Sequence, residues 1–338
     1  MLHSELHVVL GEYWFKYSLK PKFVGALIVK SSMSAQPIGL LHRIRSAFNI
    51  LFAIRAGEFC NPILDISFHK RLLEVAETHF SQSPFAGPLR VLDYGCGQTA
   101  PQTALFHADG HNVVGVDMEV PTYRMNPMRL AKVLRTNGFE RAAKSFVRHL
   151  VFDAKYFSEM QQLYGRPIAL DDLDVKVTDG KVLPFGDHSF DFVVSSCVFE
   201  HVADVPYVAM ELARVIKPSG VIYLAIHLFP CLSGGHNLEW HVSDDEQRTR
   251  QVPPWDHLRQ RLYPPNTFLN GLALRDYRRI FASTFTIVRE EVTTGGAWAL
   301  TDELEQELLS KGYSREDLLS ELAFFTLTLP RSPLPATA

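Results

Sequence analysis

Short apolar, β-branched runs alternate with amphipathic stretches along most of this chain. The first five runs predict strands, and the stretches between them predict helices. Short apolar, β-branched runs between helices indicate a parallel sheet covered by helices on both faces. The five strands are expected at 89–93, 112–117, 174–178, 190–195 and 221–226.

Two more apolar runs, 285–290 and 324–329, follow a long irregular segment and predict a closing antiparallel pair at one sheet edge. The pattern therefore predicts an α/β fold with a doubly wound, mostly parallel, seven-stranded sheet. The 338 residues exceed what such a sheet needs. We assign the surplus to a helical N-terminal cap and to lid insertions at about 122–172 and 228–270. The predicted organisation is a poorly ordered extension over 1–35, the cap over 36–87, the α/β domain over 88–330 and a disordered tail over 331–338.

Composition and charge narrow the function class. With 34 Lys and Arg against 37 Asp and Glu, the net charge is −3, which argues against a dedicated nucleic-acid-binding protein. No run of about 20 apolar residues predicts a membrane span. The basic amphipathic segment 40–55 allows at most weak peripheral membrane contact. The four cysteines form no CxxC pair, so neither a disulfide scaffold nor a zinc ribbon is expected, and a cytoplasmic location fits best.

The sharpest motif is the run VLDYGCGQTA at 91–100, which reads as a strand, a glycine-rich turn and a helix start. Asp117 ends the next strand, 20 residues beyond Gly97, where a carboxylate can accept hydrogen bonds from a ribose diol. The turn also fits a dinucleotide site loosely. Asp93, two residues before Gly95, is poorly placed beside a pyrophosphate but suits an ammonium group. That position favours S-adenosylmethionine (SAM) over NAD.

A second block of motifs follows the third and fourth strands. It comprises TDGKVLPF at 178–185, SFDFVVSS at 189–196, the pair Glu200-His201, and PSG at 218–220. Together with the DxGxG turn, this block resembles the class I SAM-dependent methyltransferases, in particular those that act on small molecules. The resemblance covers about residues 88–228. It implies a Rossmann-like sheet with a seventh, antiparallel strand inserted beside the fifth. Thr99 departs from the third glycine that the family often has.

The resemblance also implies roles for individual residues. Asp93 and the glycine-rich turn would hold the methionine end of SAM, and Asp117 the ribose. Asp179 and Gly180 would flank adenine, while the two serines after strand four would line the carboxypropyl and methyl side. The complete predicted cofactor set is Asp93, Tyr94, Gly95, Cys96, Gly97, Asp117, Met118, Asp179, Gly180, Ser195 and Ser196.

The prediction for the methyl acceptor depends on the general chemistry of methyl transfer. SAM carries an activated leaving group, so the protein mainly needs to align acceptor and methyl group, but a hydroxyl acceptor also needs a base. Amide and base-nitrogen methyltransferases often carry an Asn/Asp-Pro-Pro-aromatic run after strand four, where this chain has SSCV at 195–198. The nitrogen classes are therefore disfavoured.

Histidines near the carboxyl ends of the strands are the candidate bases. His236 is favoured because Gly234 and Gly235 would let the chain approach a ligand closely. No metal is predicted, since the histidines of the segment after strand five show no HxH or HxxxH spacing. The other candidates are His201, His241, and His257 paired with Asp256.

The sequence therefore predicts a SAM-dependent enzyme with a small-molecule acceptor. Trp240 and Trp255 offer flat faces for a ring, which favours O-methylation of a sugar, a glycan or a natural product. Two alternatives stay open: N- or C-methylation of a small molecule, and a non-catalytic SAM-binding scaffold subunit.

Overall fold

A computed structural model describes residues 61–80, 87–118, 153–236, 252–263, 265 and 267–330, with scattered positions between 121 and 149. The predicted extension over 1–35, the segment 40–55 and the tail over 331–338 lie outside the described residues. Among the helices described, none combines the length and the apolarity that crossing a bilayer requires.

The described chain is built on a seven-stranded sheet with the strand order β3-β2-β1-β4-β5-β7-β6. The first five strands run parallel to their neighbours, and β7 runs antiparallel to both β5 and β6. This order confirms the predicted α/β fold, with an antiparallel strand inserted beside the fifth. The strands are β1 (Arg90–Tyr94), β2 (Asn112–Asp117), β3 (Asp174–Val177), β4 (Phe190–Ser196), β5 (Ile216–His227), β6 (Thr286–Thr294) and β7 (Ser320–Thr328).

Strand β5 begins five residues earlier than its apolar run predicts. Ile216 pairs with Phe190 and Val221 pairs with Phe192, so residues 217–220 bulge out of the ladder between them. The Pro-Ser-Gly sequence expected as a turn is therefore a bulge inside the strand. This shift leaves the carboxyl end of β5 at His227.

Helices cover both faces of the sheet. They are α1 (Pro62–Phe80), α2 (Pro101–Ala108), α3 (Ala154–Tyr164), α4 (Val205–Val215), α5 (Leu274–Thr284), α6 (Asp302–Ser310) and α7 (Arg315–Leu319). The buried face of α1, through Phe68, Leu72 and Ala76, packs on side chains of β1, β4 and β5. This helix, expected as part of a cap, thus forms a layer directly on the sheet. Helix α4 covers the opposite face, and the Asp204 side chain caps its start by accepting from the Tyr207 backbone N–H at 3.0 Å.

The segment after β5 is packed where the structure describes it. Residues 228–236 are buried almost throughout. Trp255 is fully buried, and its indole N–H donates to the Pro230 carbonyl at 3.0 Å. Leu308 and Leu318 complete the apolar cluster around it. Residues 228–236 and 252–258 of the predicted lid segment 228–270 are therefore packed into the body of the protein, and residues 237–251 lie outside the described part.

Candidate functional site

A cavity of about 970 Å³ opens at the carboxyl ends of β1, β2 and β4. Its walls come from the turn after β1, the end of β2, the loop after β3, the turn after β4 and one face of α1. This is the edge at which open α/β sheets bind ligands. The volume falls within the range of about 300–1,000 Å³ that is typical of small-molecule and cofactor sites.

The glycine-rich turn is held in place by strand β2. The backbone N–H groups of Gly95 and Cys96 donate to the Val116 carbonyl at 2.8 and 3.0 Å. The Gly97 N–H donates to the Asp117 carboxylate at 2.8 Å. Gly95 and Gly97 have φ of +76° and +70°, a region that favours glycine. The turn therefore depends on both glycines and on the carboxylate that ends β2.

Asp93 lies buried at the base of this turn. One carboxylate oxygen accepts from the Thr103 backbone N–H at 3.0 Å and from the Thr103 hydroxyl at 2.7 Å. Loss of solvation nevertheless raises the pKa of Asp93 to about 7. Asp93 also lines the cavity, so a cation bound there would stabilise its ionised form.

A tyrosine joins the turn to the loop after β3. The Tyr94 hydroxyl donates to the Gly180 carbonyl at 2.8 Å. Asp179, exposed beside it, accepts from the Lys181 backbone N–H at 3.1 Å. Asp117 and Asp179 thus stand on neighbouring strand ends at one side of the cavity, as expected for residues that contact a nucleoside.

Every predicted cofactor residue except Ser195 lines the cavity. Ser195 is fully buried, and its hydroxyl has no hydrogen-bond partner among the described residues. Successive strand side chains point to opposite faces of a sheet. Only Ser196 of this pair therefore belongs to the cavity wall.

Residues that sequence reasoning missed also line the cavity. Leu64, Asp65 and Phe68 come from α1, which we had expected to be a cap. The Asp65 carboxylate accepts from the Tyr156 hydroxyl at 2.5 Å, and burial raises the pKa of Asp65 to about 6. The sequence signal that could have revealed Asp65 is a carboxylate on the apolar face of a helix. Asp204 and Tyr207, at the start of α4, are further lining residues.

Of the candidate bases, His201 lines the cavity. Its Nδ1–H donates to the Phe268 carbonyl at 2.8 Å, which leaves Nε2 as an acceptor in the neutral ring. His236 is not among the cavity-lining residues, but its ring meets that of His201 edge-on with centroids 5.0 Å apart. His241 lies outside the described residues.

The other predicted pair, Asp256 and His257, forms hydrogen bonds with nearby backbone groups. Asp256 accepts from the backbone N–H groups of Leu262 and Tyr263 at 3.2 and 2.9 Å. His257 donates to the Phe229 carbonyl at 2.8 Å, and burial lowers its pKa to about 4. Neither residue lines the described cavity.

The glycine pair before His236 also has another role than the one we predicted. A Cβ on Gly235 would lie 2.7 Å from Cγ of His257, and one on Gly234 would lie 2.2 Å from the Phe229 carbonyl oxygen. At both positions the missing Cβ therefore makes room for groups of the protein itself.

A family model described as a methyltransferase domain matches residues 138–224. This match includes β3, β4 and the cavity-lining loops that follow them, but not the glycine-rich turn or Asp117, and the strand order agrees with the sheet that the resemblance implies. Residues 138–224 are therefore similar to a methyltransferase domain. The predicted cofactor residues converge on the cavity at the carboxyl ends of the strands.

Curated relatives match this chain over short stretches. The biotin biosynthesis bifunctional protein BioHC of Cellvibrio japonicus is 47% identical over 47 residues, which are 14% of this chain and 9% of that protein. An uncharacterized methyltransferase of Mycobacterium leprae is 32% identical over 91 residues, 26% of this chain and 34% of that protein. The chain thus spans about a third or less of the length of these curated relatives.

Solved structures match over a larger share. The phosphoethanolamine N-methyltransferase 2 of Haemonchus contortus, in complex with S-adenosyl-L-methionine, is 16% identical with a TM-score of 0.43. That match covers 86% of this chain and 59% of the other.

Proposed function

We propose that this protein is a SAM-dependent methyltransferase that methylates a hydroxyl group of a small acceptor, in the class of sugars, glycans or natural products. One observation carries the proposal. A single cavity brings together the glycine-rich turn, a buried carboxyl at its base, carboxylates on the next two strand ends, and a histidine with an accepting nitrogen. The transfer would yield S-adenosylhomocysteine.

The cavity residues fit SAM. Asp93 is a buried carboxyl whose ionised form lacks a cation, and the α-ammonium of a methionine moiety supplies one. A Cβ on Gly97 would meet nothing within 4 Å, so open space adjoins the backbone of the turn. Asp117 already accepts one N–H and lines the cavity, where its carboxylate can accept from ribose hydroxyls. When bound, SAM supplies a methyl group on an activated sulfonium.

Asp117→Asn should weaken SAM binding about tenfold or more, since a hydrogen bond to a charged acceptor contributes about 1.5–3 kcal/mol. The asparagine oxygen can still accept from the Gly97 N–H, so we expect the melting temperature to stay close to that of the wild type. Calorimetric titration with SAM and a thermal melt test both expectations. A large drop in melting temperature with unchanged affinity would assign Asp117 to the fold alone.

His201 is the residue that we propose as general base. It lines the cavity, and its bond to the Phe268 carbonyl fixes the tautomer in which Nε2 accepts a proton. A hydroxyl acceptor must lose its proton as the oxygen attacks the methyl carbon, and general base catalysis typically contributes about 10²–10⁴-fold. His236 packs edge-on against His201 and acts as a positioning residue.

His201→Ala should therefore lower kcat by about 100-fold or more while SAM affinity is retained. The assay is transfer of a labelled methyl group from SAM to a panel of hydroxylated acceptors, followed by kinetics on the acceptor that is methylated. The matched control is His107→Ala, on α2 and outside the cavity lining. Full turnover by the His201 variant on that acceptor would remove this residue from the role of base.

A second candidate function has its own observation. Asp65 adds a further buried carboxyl to the cavity, which would suit a cationic or amine acceptor and hence N-methylation. The acceptor panel should therefore include primary and secondary amines. Methylation of amines alone would favour this alternative, and SAM binding without any transfer would favour the scaffold.

We also propose that the protein is cytoplasmic, where the free thiols of Cys96, Cys197 and Cys231 stay reduced.

A further inference from the structure

Three side chains that are far apart in the sequence meet beside the cavity wall. They are Glu200 in the turn after β4, His227 at the end of β5, and His236 at the end of the packed segment that follows. One ligand atom from each lies within 4.8 Å of the other two. None of the three lines the cavity itself.

Glu200 is the least satisfied member of this triad. Its side chain is 1% exposed, and no side chain among the described residues donates a hydrogen bond to its carboxylate, with which the backbone N–H groups of Glu200 and His227 interact. A buried ionised carboxylate is costly unless it is paired, hydrogen-bonded or bound to a metal.

The orientation of His227 is fixed from its other side. The Ser233 hydroxyl donates to the Glu321 carboxylate at 3.0 Å, so it must accept from the Nε2–H of His227 at 2.8 Å. Nδ1 then carries the lone pair, and it lies 3.2 Å from Nε2 of His236. Metal-binding histidines are commonly oriented in this way, with the second ring N–H donating into an outer hydrogen-bonded group.

We propose that Glu200, His227 and His236 bind one divalent transition-metal ion of the Zn²⁺ type. Two imidazoles and one carboxylate are donors that such ions accept in proteins. The ion would supply the positive charge that Glu200 lacks and would use the lone pair that Ser233 leaves on His227. It would also tie residues 228–236 to the turn that carries His201.

A competing triad shares His227. Nε2 of His227, Cys231 and Glu321 also meet the distance condition. However, Nε2 of His227 and the Glu321 carboxylate are already joined through Ser233. The Glu200 triad is therefore the one we assign.

The test compares two isosteric substitutions at opposite ends of His227. Metal-stripped full-length protein is titrated with Zn²⁺ by calorimetry and with Co²⁺ by absorption spectroscopy. We expect one equivalent to bind the wild type and Glu200→Gln to weaken binding by at least about 100-fold, whereas Glu321→Gln, an outer-group change, should cost about tenfold. Circular dichroism and SAM titration verify the fold of each variant. If Glu200→Gln does not fold, His236→Gln takes its place with the same expected loss.

Three results would overturn the proposal. The first is the absence of stoichiometric Zn²⁺ and Co²⁺ binding by the wild type, which would make the triad a proton-sharing cluster. The second is a larger loss of affinity in Glu321→Gln than in Glu200→Gln. The third is an intense thiolate-to-cobalt charge-transfer band, which would place the ion on Cys231.

Discussion

Asp93→Asn is expected to weaken SAM binding by at least about 100-fold, because a buried charged partner of an ammonium group contributes several kcal/mol when its counterpart is removed. The wild-type carboxyl is buried at the base of the glycine-rich turn, where the Thr103 backbone N–H and hydroxyl both donate to it. The asparagine keeps the shape and can still accept from Thr103. The loss should therefore appear in affinity and much less in the fold.

The same residue should make SAM binding depend on pH. Without a cation, burial raises the pKa of Asp93 from 3.8 to about 7. The protonated form thus contributes stability that is lost as pH rises through about 7, and bound SAM offsets this loss by pairing with the ionised form. Below that pH, binding must displace a proton. Wild-type affinity should therefore increase between about pH 5.5 and pH 7, by up to about tenfold per pH unit, and then level off.

Calorimetry in buffers of different ionisation enthalpy measures the released proton directly. The matched control is Asp65→Asn, which removes another buried carboxyl with a raised pKa from the same cavity. We expect the control to keep the pH dependence in its upper range and Asp93→Asn to lose it. Equal pH dependence in wild type and Asp93→Asn would contradict the pairing of Asp93 with the ammonium group.

Gly95→Ala should lower the free energy of unfolding by about 3 kcal/mol and abolish SAM binding. Gly95 has φ +76°, where an L side chain is strained. An added Cβ would also lie 2.3 Å from Cγ2 of Val198, in the turn after β4. The substitution therefore forces apart two segments that form the cavity wall.

Gly97→Ala separates the cost of backbone strain from the cost of the steric clash with Val198. Its φ of +70° carries the same backbone strain, but an added Cβ would meet nothing within 4 Å. We expect a loss of only about 1–2 kcal/mol in stability, together with weaker SAM binding because Gly97 lines the cavity. Denaturant unfolding of both variants tests the difference, and an equal loss of stability would show that the Val198 contact is unimportant.

The sheet and the cofactor side could be predicted because their signals are local. The apolar run 112–117 matches β2 residue for residue, since a strand buried on both faces needs an unbroken apolar sequence. The glycines and Asp93 are specified by one tight turn. By contrast, the start of β5 at Ile216 depends on pairing with β4, and no pattern within residues 216–221 reveals it.

The acceptor side could not be predicted in the same way. A stretch rich in histidine, tryptophan and glycine has the composition of a binding loop, yet Trp255 is buried against residues some 50 positions later in the chain. His257 is buried against Phe229, which lies 28 positions earlier. The Glu200 triad joins residues that lie 27 and 9 positions apart on three elements, so no short metal-binding spacing occurs. Asp65 was missed because the contribution of α1 to the cavity depends on how that helix packs on the sheet.

The central claim is that the cavity at the carboxyl ends of β1, β2 and β4 binds SAM. Calorimetric titration of the wild-type protein with SAM, S-adenosylhomocysteine and NADH tests it most directly. We predict one-site binding of SAM and S-adenosylhomocysteine and no binding of NADH. Tight binding of NADH without binding of SAM would contradict the assignment.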